Sequence, residues 1–260
     1  MKRVFPKSSK TSAFTLIELL VVIGIIGILA AMLLPALARS KDLAVRTKCK
    51  AQMKSTNLAI QSYGNDNKDS LLNAGGGAWA WDTPIAVCNT LIQNGATRTT
   101  LYDPGFPDQN DDVLFGGPGQ MPLVGFNGGG FRVLGFAFAF PGIAAVNATN
   151  YNPYIHTTPI VVNGVGYGTP PASDRPLVAC ATISGTTAGA VQNSPIWQNR
   201  LGYTYKGIKG GWAKLHQAAH MNNKNFPTGG NVGMLDGRVI WRSFKDMLPR
   251  TDGNYPTFWW

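Results

Sequence analysis

The amino-acid sequence predicts an α+β protein in which a long N-terminal helix packs on an antiparallel, β-rich globular head. One observation is the apolar run Phe14–Ala38, which continues into an amphipathic pattern ending near Tyr63. Another is a series of short β-branched or aromatic segments after residue 130, bounded by Pro or Gly. The predicted divisions are a leader, an apolar helix, its amphipathic continuation and the head: residues 1–13, 14–38, 39–63 and 64–260.

The run Phe14–Ala38 is long enough to span a membrane. About 20 apolar residues cross a bilayer as a helix, because a helix pairs its backbone groups internally, and this run would be roughly 37 Å long. Its one charged residue, Glu18, costs about 3 kcal/mol at the bilayer centre. The surrounding apolar side chains contribute on the order of −7 kcal/mol on the insertion scale. We therefore expect the segment to insert, and we expect Glu18 to have a function.

These residues resemble the N-terminus of type IV pilins and type II secretion pseudopilins, the prepilin-like proteins. The resemblance covers the short basic leader, Phe14 after a small residue, Glu18 four residues later, the unbroken apolar run and Pro35. It implies that a prepilin peptidase cleaves between Ala13 and Phe14 on the cytoplasmic face and that Phe14 is then N-methylated. The residue before the cut is Ala13, where the family mostly has Gly.

The resemblance implies a structural subunit of a type II secretion pseudopilus or type IV pilus-like filament, without enzymatic activity. Its partners would be the prepilin peptidase/methyltransferase, other pilin-like subunits and the inner membrane. It would cross that membrane once, with a cytoplasmic N-terminus and the head in the periplasm or an extracellular filament. In a filament, Glu18 would meet the free amine at Phe14 of a neighbour. Such a pair is worth about 4 kcal/mol before desolvation, at ~4 Å and an effective dielectric of ~20.

Two other interpretations stay open. Ala36-Leu37-Ala38 fits a signal-peptidase site, and cleavage there would release a secreted enzyme or sugar-binding protein beginning at Arg39. The length of the apolar run and the presence of Glu18 disfavour this interpretation. In the second, the protein stays anchored in the envelope and never polymerises.

The helix is predicted to continue past Pro35, where the missing backbone N–H predicts a bend. Spacings of three and four residues predict one buried stripe: Val45, Cys49, Met53, Thr56, Ile60 and Tyr63. The net charge of +10 includes basic residues of the leader. The basic residues beyond the apolar run are expected to face solvent or lipid headgroups, in preference to nucleic acid: Arg39, Lys41, Arg46, Lys48, Lys50 and Lys54.

Turn-forming residues end the helix at Asn65–Asn73, where a calcium loop is the less favoured alternative. Residues 74–130 are rich in Gly, Pro, Asn and Asp, and they lack a phosphate-binding glycine motif. Strands are predicted in the next part of the chain: Phe131–Phe140, Ile160–Tyr167, Leu177–Ser184 and Leu201–Tyr205.

A hairpin is predicted near the C-terminus, with Asp236-Gly237 joining Asn231–Leu235 to Arg238–Phe244. Asp-Gly suits a two-residue type I′ turn, which needs positive φ at both positions. This region and the terminal Pro-Thr-Phe-Trp-Trp resemble prepilin-like proteins of planctomycete- and verrucomicrobia-type bacteria. In that family a His is followed after nine residues by Asp-Gly. The resemblance implies that His220, Asp236 and Gly237 form this motif, although the intervening segment is longer here.

No catalytic site, metal site or cofactor is predicted. His216 and His220 stand four residues apart as in the zincin motif, but Gln217 replaces the catalytic glutamate and no third ligand is evident. A histidine with ordinary hydrogen bonds in a helix or loop is favoured instead. Trp241 and the terminal Phe258–Trp260 are expected to pack internally, with a sugar- or partner-binding surface as the alternative.

The cysteines Cys49, Cys88 and Cys180 show no metal-binding spacing. An envelope location permits a disulfide, and Cys88–Cys180 is one of three possible pairs. One thiol remains in any pairing, and Cys49 on the helix would act as a small apolar residue.

Overall fold

The computed structural model describes residues 15–75, 79–116, 123–124, 130–143, 146, 149–162, 164–186, 203–209, 215–251 and 256–260. The fold is α+β, as predicted. The chain forms two compact units, Met1–Ala44 and Val45–Trp260. Their boundary lies inside one helix, α1 (Leu16–Asp66), and the divisions predicted at Ala38 and Tyr63 fall inside it too.

In the first unit, the apolar side chains of α1 are exposed along its whole length. Leu16 is 78% exposed and Met32 is 74% exposed, and the residues between and beyond them, to Leu37, are exposed as well. The helix continues through Pro35 without interruption. Among the described residues, α1 is the helix that is long and apolar enough to cross a membrane.

In the second unit, α1 buries one face. Its buried residues are Cys49, Met53, Thr56, Asn57, Ala59, Ile60 and Gly64. The predicted stripe is therefore confirmed at its centre, whereas Val45 and Tyr63 at its two ends are only half-buried. The helix ends at Asp66, slightly beyond the predicted end.

The remaining elements of the second unit are short. Two further α-helices lie in the described part of the unit, α2 (Ile85–Gln93) and α3 (Asp112–Phe115). The strands are β1 (Asp82–Pro84), β2 (Leu123–Val124), β3 (Gly130–Val133), β4 (Phe136–Phe138), β5 (Val161–Val162), β6 (Val165–Gly166), β7 (Pro176–Cys180), β8 (Thr182–Thr186), β9 (Tyr203–Thr204), β10 (Lys206–Lys209), β11 (Leu215–Gln217), β12 (Gly229–Met234), β13 (Val239–Ser243) and β14 (Thr257–Trp259).

The described strands pair antiparallel in small sheets. The largest has four strands in the order β13-β12-β7-β4, and two three-stranded sheets have the orders β1-β3-β2 and β14-β8-β9. The pairs β10-β11 and β5-β6 form two-stranded ribbons. The buried face of α1 lies on the four-stranded sheet, where Met53 and Asn57 pack over the backbone of Gly233 in β12.

The predicted strands exist as shorter pieces. Phe131–Phe140 is divided at Gly135, because a Cβ there would lie 2.6 Å from the Cα of Tyr102 and the backbones must approach closely. Ile160–Tyr167 is the hairpin β5-β6, which turns at Gly164 with φ +79°. Leu177–Ser184 is divided into β7 and β8, which lie in different sheets. Within Leu201–Tyr205 only β9 is a strand, and residues 201–202 lie outside the described part.

Aromatic side chains fill the core of the second unit. Phe258 and Trp259 are fully buried, which confirms the predicted internal packing of the C-terminal aromatics. Trp259 Nε1 donates a 2.8 Å hydrogen bond to Ser184 Oγ. Trp241 is half-buried, and the guanidinium of Arg46 lies over its ring. The distance from Arg46 Cζ to the Trp241 ring centroid is 4.1 Å. Arg46 therefore packs on the sheet, which corrects the prediction of a purely solvent-facing or lipid-facing basic residue.

Candidate functional site

The N-terminus of α1 is closed by reciprocal hydrogen bonds between Thr15 and Glu18. The amide N–H and the hydroxyl of Thr15 both donate to Glu18 Oε2 at 2.8 Å. In return, the Glu18 N–H donates to Thr15 Oγ1 at 3.3 Å. This arrangement is a capping box, in which Ser or Thr and a Glu three residues later satisfy each other's backbone donors. Glu18 thus has a local role that the sequence interpretation missed, although the Thr-x-x-Glu spacing signals it.

The other predicted processing residues are placed only in part. Ala13 and Phe14, which flank the predicted cut, lie outside the described residues. Pro35 lies inside α1, on the exposed apolar part of the helix. The described residues thus begin at Thr15, directly after Phe14, and Glu18 stands in the first turn of α1.

The predicted C-terminal hairpin is formed by β12 and β13, but its predicted turn type is wrong. The carbonyl of Met234 accepts a 2.9 Å hydrogen bond from the N–H of Gly237, and the N–H of Met234 donates to Arg238 O at 2.8 Å. Gly237 has φ +85°, but Asp236 is not among the residues with positive φ. A type I′ turn needs positive φ at both positions. The loop instead has three residues, and Asp236 Oδ1 accepts from the Arg238 N–H at 3.0 Å.

This turn is held by α1. Three side chains of the helix donate to carbonyl oxygens of the turn: Asn57 to Met234 (2.9 Å), Gln61 to Leu235 (2.7 Å) and Lys54 to Gly237 (2.5 Å). The Asp-Gly part of the predicted motif thus has a structural role where the helix meets the sheet.

His220 belongs to a buried group of four side chains from four separate segments. We call this group the Cys/Asp/His cluster; its members are Cys49, Asp103, Cys180 and His220. Cys49 lies in α1 and Cys180 ends β7, whereas Asp103 and His220 lie in loops. None is more than 4% exposed. One potential ligand atom of each side chain lies within 4.8 Å of the corresponding atoms of the other three.

Short distances link the four side chains of the cluster one to the next. The two sulfur atoms of Cys49 and Cys180 are 3.1 Å apart. Cys180 Sγ lies 3.6 Å from His220 Nε2, and that nitrogen lies 3.3 Å from Asp103 Oδ1. Both neighbours therefore face the same ring nitrogen.

Backbone groups fix these side chains. The N–H of Asn231 donates to Cys180 Sγ at 3.1 Å, and the N–H of Gly105 donates to Asp103 Oδ1 at 2.7 Å. His220 adopts φ +52°, which is uncommon for a residue other than glycine. Gly105 lies so close to it that a Cβ would be 2.9 Å from His220 N. The loops are therefore closely fitted around the cluster.

Burial and charge oppose each other in the cluster. Burial would lower the pKa of His220, but attraction to the Asp103 carboxylate raises it to about 10. Burial would likewise raise the pKa of Asp103, but attraction to His220 and hydrogen bonds hold it below its ordinary value. Burial raises the pKa of Cys180 well above the ordinary thiol value. The mutual attraction of His220 and Asp103 thus favours the charged form of each, whereas burial favours the protonated thiol of Cys180.

The cluster differs from a Cys–His–Asp catalytic triad. In a triad, the nucleophile and the acid contact different nitrogens of the histidine. Here Cys180 and Asp103 share Nε2, and Nδ1 of His220 is buried without a hydrogen bond to any described residue. The four side chains have the chemistry of metal ligands, and they are closed off from a substrate by burial.

Sequence reasoning found His220 but missed its partners. The predicted helical or loop setting of the two histidines is wrong for His216, which lies in β11 with its ring centroid 4.5 Å from that of Trp81. The three thiols are free, and Cys180 lies beside Cys49 rather than Cys88, which is in α2. Because 131 residues separate Cys49 from Cys180, no local spacing could have revealed this pair.

Comparison with known protein families gives a match at the N-terminus. Residues 8–34 match the prokaryotic N-terminal methylation motif. The match confirms the resemblance to type IV prepilin-like proteins over this segment, and the planctomycete-type C-terminal resemblance stays a prediction. No curated protein and no solved structure is significantly similar to the chain. The motif implies processing by a prepilin peptidase and assembly with pilin-like subunits. The apolar helix that overlaps the motif indicates membrane anchoring.

Proposed function

Since its N-terminus carries the methylation motif of prepilin-like proteins, we propose that the chain is a structural subunit of a type II secretion pseudopilus or type IV pilus-like filament. The peptidase cleaves between Ala13 and Phe14 at the cytoplasmic face of the inner membrane, and Phe14 is N-methylated. The apolar part of α1 then passes from the bilayer into the filament core. The second unit lies in the periplasm or on the filament surface.

One observation carries this proposal: the methylation motif at residues 8–34 overlaps a helix whose apolar side chains are exposed from Leu16 as far as Leu37. A continuous apolar surface of this kind requires lipid or other apolar side chains around it. A bilayer supplies the first environment before assembly. Packed helices of neighbouring subunits supply the second, and Gly24 and Gly27 permit close approach of another helix because they carry no side chain.

We propose that the negative charge of Glu18 acts in the contact between subunits. The capping box explains the position of the carboxylate but not its charge, because Gln serves equally well at that position of the box. An uncompensated charge in an apolar filament core would be costly. The free amine that cleavage creates at Phe14 of a neighbouring subunit is the partner that we propose.

We assign this protein no enzymatic activity. Its proposed role is mechanical, and in the processing reaction it is the substrate. The Cys/Asp/His cluster supports this assignment, because its histidine lacks the two-sided contacts of a catalytic base and all four of its side chains are buried.

The charge and the cap of Glu18 can be tested separately in the source cell. Glu18→Gln keeps an acceptor for the Thr15 donors and removes the charge, whereas Thr15→Ala removes the hydroxyl and keeps the charge. We expect both variants to be inserted and processed, with a methylated Phe14 found by mass spectrometry. Incorporation of Glu18→Gln into filaments should fall at least about tenfold, as expected from the loss of more than ~1.4 kcal/mol. Thr15→Ala should be incorporated nearly as well as wild type.

Two results would contradict the proposal. A mature wild-type protein that begins at Met1 or Arg39 would show that prepilin processing does not occur. Wild-type filament content in Glu18→Gln would show that its charge does not align the subunits.

A further inference from the structure

We propose that the Cys/Asp/His cluster is a structural zinc site. It would hold one Zn²⁺ between the two cysteine sulfurs, one carboxylate oxygen of Asp103 and Nε2 of His220. The site lies wholly within the second unit, and it is independent of processing and filament assembly.

Two of the distances between ligand atoms fit a tetrahedral ion. Zinc binds sulfur at about 2.3 Å and nitrogen or oxygen at about 2.0 Å, so a tetrahedron places its ligand atoms roughly 3.3–3.8 Å apart. The nitrogen–oxygen distance of 3.3 Å and the sulfur–nitrogen distance of 3.6 Å fall in this range. The two sulfurs, at 3.1 Å, are closer than the roughly 3.8 Å that two zinc-bound sulfurs span in a regular tetrahedron, so they would have to move apart to bind the ion.

The kinds of ligand select the metal. Thiolate and imidazole together favour zinc over magnesium or calcium, which prefer oxygen. Four protein ligands fill a tetrahedral shell and leave no open position for water or substrate, which is typical of structural rather than catalytic zinc. The near-complete burial of all four side chains agrees with a closed site.

A disulfide between Cys49 and Cys180 would account for less of the geometry. It would use the two sulfurs and would not explain why the buried His220 and Asp103 place ligand atoms within 4.8 Å of them. Asp103 Oδ2 is also buried without a hydrogen bond to any described residue, which is costly for a carboxylate. A cation at the centre would interact favourably with all four groups.

The surroundings of the cluster supply the outer contacts that metal ligands need. Backbone N–H groups of Asn231 and Gly105 donate to one sulfur and to the carboxylate. Such contacts orient ligands and stabilise their charged forms. Asp103 also lines a surface cleft of about 160 Å³, together with Lys48 and Tyr102 among others. Of the four proposed ligands, Asp103 is the one that lines this cleft.

The proposed ion would tie together segments that are far apart in the chain. Cys49 belongs to α1, Cys180 belongs to β7 in the interior of the four-stranded sheet, and the other two ligands lie in loops. Zinc would thus attach the helix to the sheet. Its binding free energy would contribute directly to folding of the second unit, as in other structural zinc sites.

The test is the metal content of the full chain, purified in detergent without chelators. Elemental analysis should find about one zinc per chain in wild type, and Cys49→Ala and Cys180→Ala should lose it. The matched control is Cys88→Ala, which removes the third buried thiol, on α2, and should keep the zinc. When Co²⁺ replaces the zinc, wild type and Cys88→Ala should show the intense visible bands of tetrahedral cobalt and a thiolate charge-transfer band. Cys49→Ala and Cys180→Ala should not show these bands.

The cobalt spectrum of wild type keeps the test valid if a cluster variant fails to fold, since it reports thiolate coordination without any substitution. Two results would overturn the proposal. One is a wild-type protein that takes up neither zinc nor cobalt through thiolates. The other is a Cys49–Cys180 disulfide in the isolated protein, found by peptide mapping without reduction.

Discussion

Asp82 shows how one buried carboxyl group can make this fold sensitive to pH. It lies in β1, is 3% exposed, and accepts a 3.2 Å hydrogen bond at Oδ2 from the N–H of Trp79. Its Oδ1 is buried without a hydrogen bond to any described residue. Burial raises the pKa of Asp82 to about 7, although the bond from Trp79 opposes the rise. Between about pH 4 and pH 7 the folded state therefore binds a proton that the unfolded state has released.

The free energy of unfolding should fall as the pH rises through this window, because the unfolded state binds fewer protons there. The loss is at most ~4 kcal/mol for a rise of about three pKa units. In Asp82→Asn we expect this loss to disappear, so that the variant is more stable than wild type at pH 8. Thermal or urea unfolding between pH 4.5 and pH 8 measures the free energy of unfolding of both proteins. The control is Asp66→Asn at an exposed position. Parallel curves for Asp82→Asn and wild type would refute the prediction.

At this scale, the sequence reveals only residues whose role is local. Glu18 stands out as a lone charge in an apolar run, and its three-residue spacing from Thr15 also signals the cap. The ligands of the Cys/Asp/His cluster come from four segments, so their proximity depends on the tertiary fold. Spacing rules detect ligands that share a helix or a hairpin, and none of these four side chains shares an element with another.

At the scale of elements, the contact between α1 and β12 depends on one missing side chain. A Cβ on Gly233 would lie 2.8 Å from Val178 Cγ1, 3.2 Å from Asn57 Nδ2 and 3.4 Å from Met53 Cγ. Glycine thus permits the close approach of helix and sheet. It also keeps the helix amides within reach of the carbonyls in the hairpin turn.

Gly233→Ala should therefore destabilise the second unit. We expect a loss of about 1–3 kcal/mol, because the added methyl group must displace the helix or Val178. Gly166→Ala is the matched control: a Cβ on this exposed strand glycine in β6 would meet no atom within 4 Å, and the change should stay within about 0.5 kcal/mol. Chemical unfolding of both variants gives the comparison. Equal stability of Gly233→Ala and wild type would show that the contact is looser than described.

The elements differ in how well the sequence predicts them. The bounds of α1 and most of its buried stripe follow from apolar periodicity, which is a local property. The strands were located but made too long, because close approaches such as that of Gly135 to Tyr102 interrupt them. Sheet membership depends on pairing between distant segments, so the separation of β7 from β8 could not be predicted from composition and turns.

Across the whole molecule, apolar exposure is distributed unevenly. Large exposed apolar side chains are concentrated in the Met1–Ala44 unit, whereas the Val45–Trp260 unit encloses a core that includes Trp81, Phe136 and Trp259. The requirement for lipid or apolar partners is therefore a property of the first unit. The second unit has the internal packing of a self-sufficient domain.

We expect a chain beginning at Val45 to be soluble and folded without detergent. Size-exclusion chromatography should show a monomer, and circular dichroism should show its β-rich content. The full chain should aggregate under the same conditions because its apolar helix is exposed. Aggregation or loss of secondary structure in the shortened chain would show that the second unit depends on residues before Val45.

The hydrogen bonds from Lys54, Asn57 and Gln61 to the hairpin turn also have a consequence under load. A subunit pulled along its helix would transmit force from α1 to β12 through these bonds together with the packed side chains around Gly233. Sliding the helix along the sheet would strain all of them at once, whereas lifting one end would break them in turn. We therefore expect the joint to withstand axial tension better than peeling.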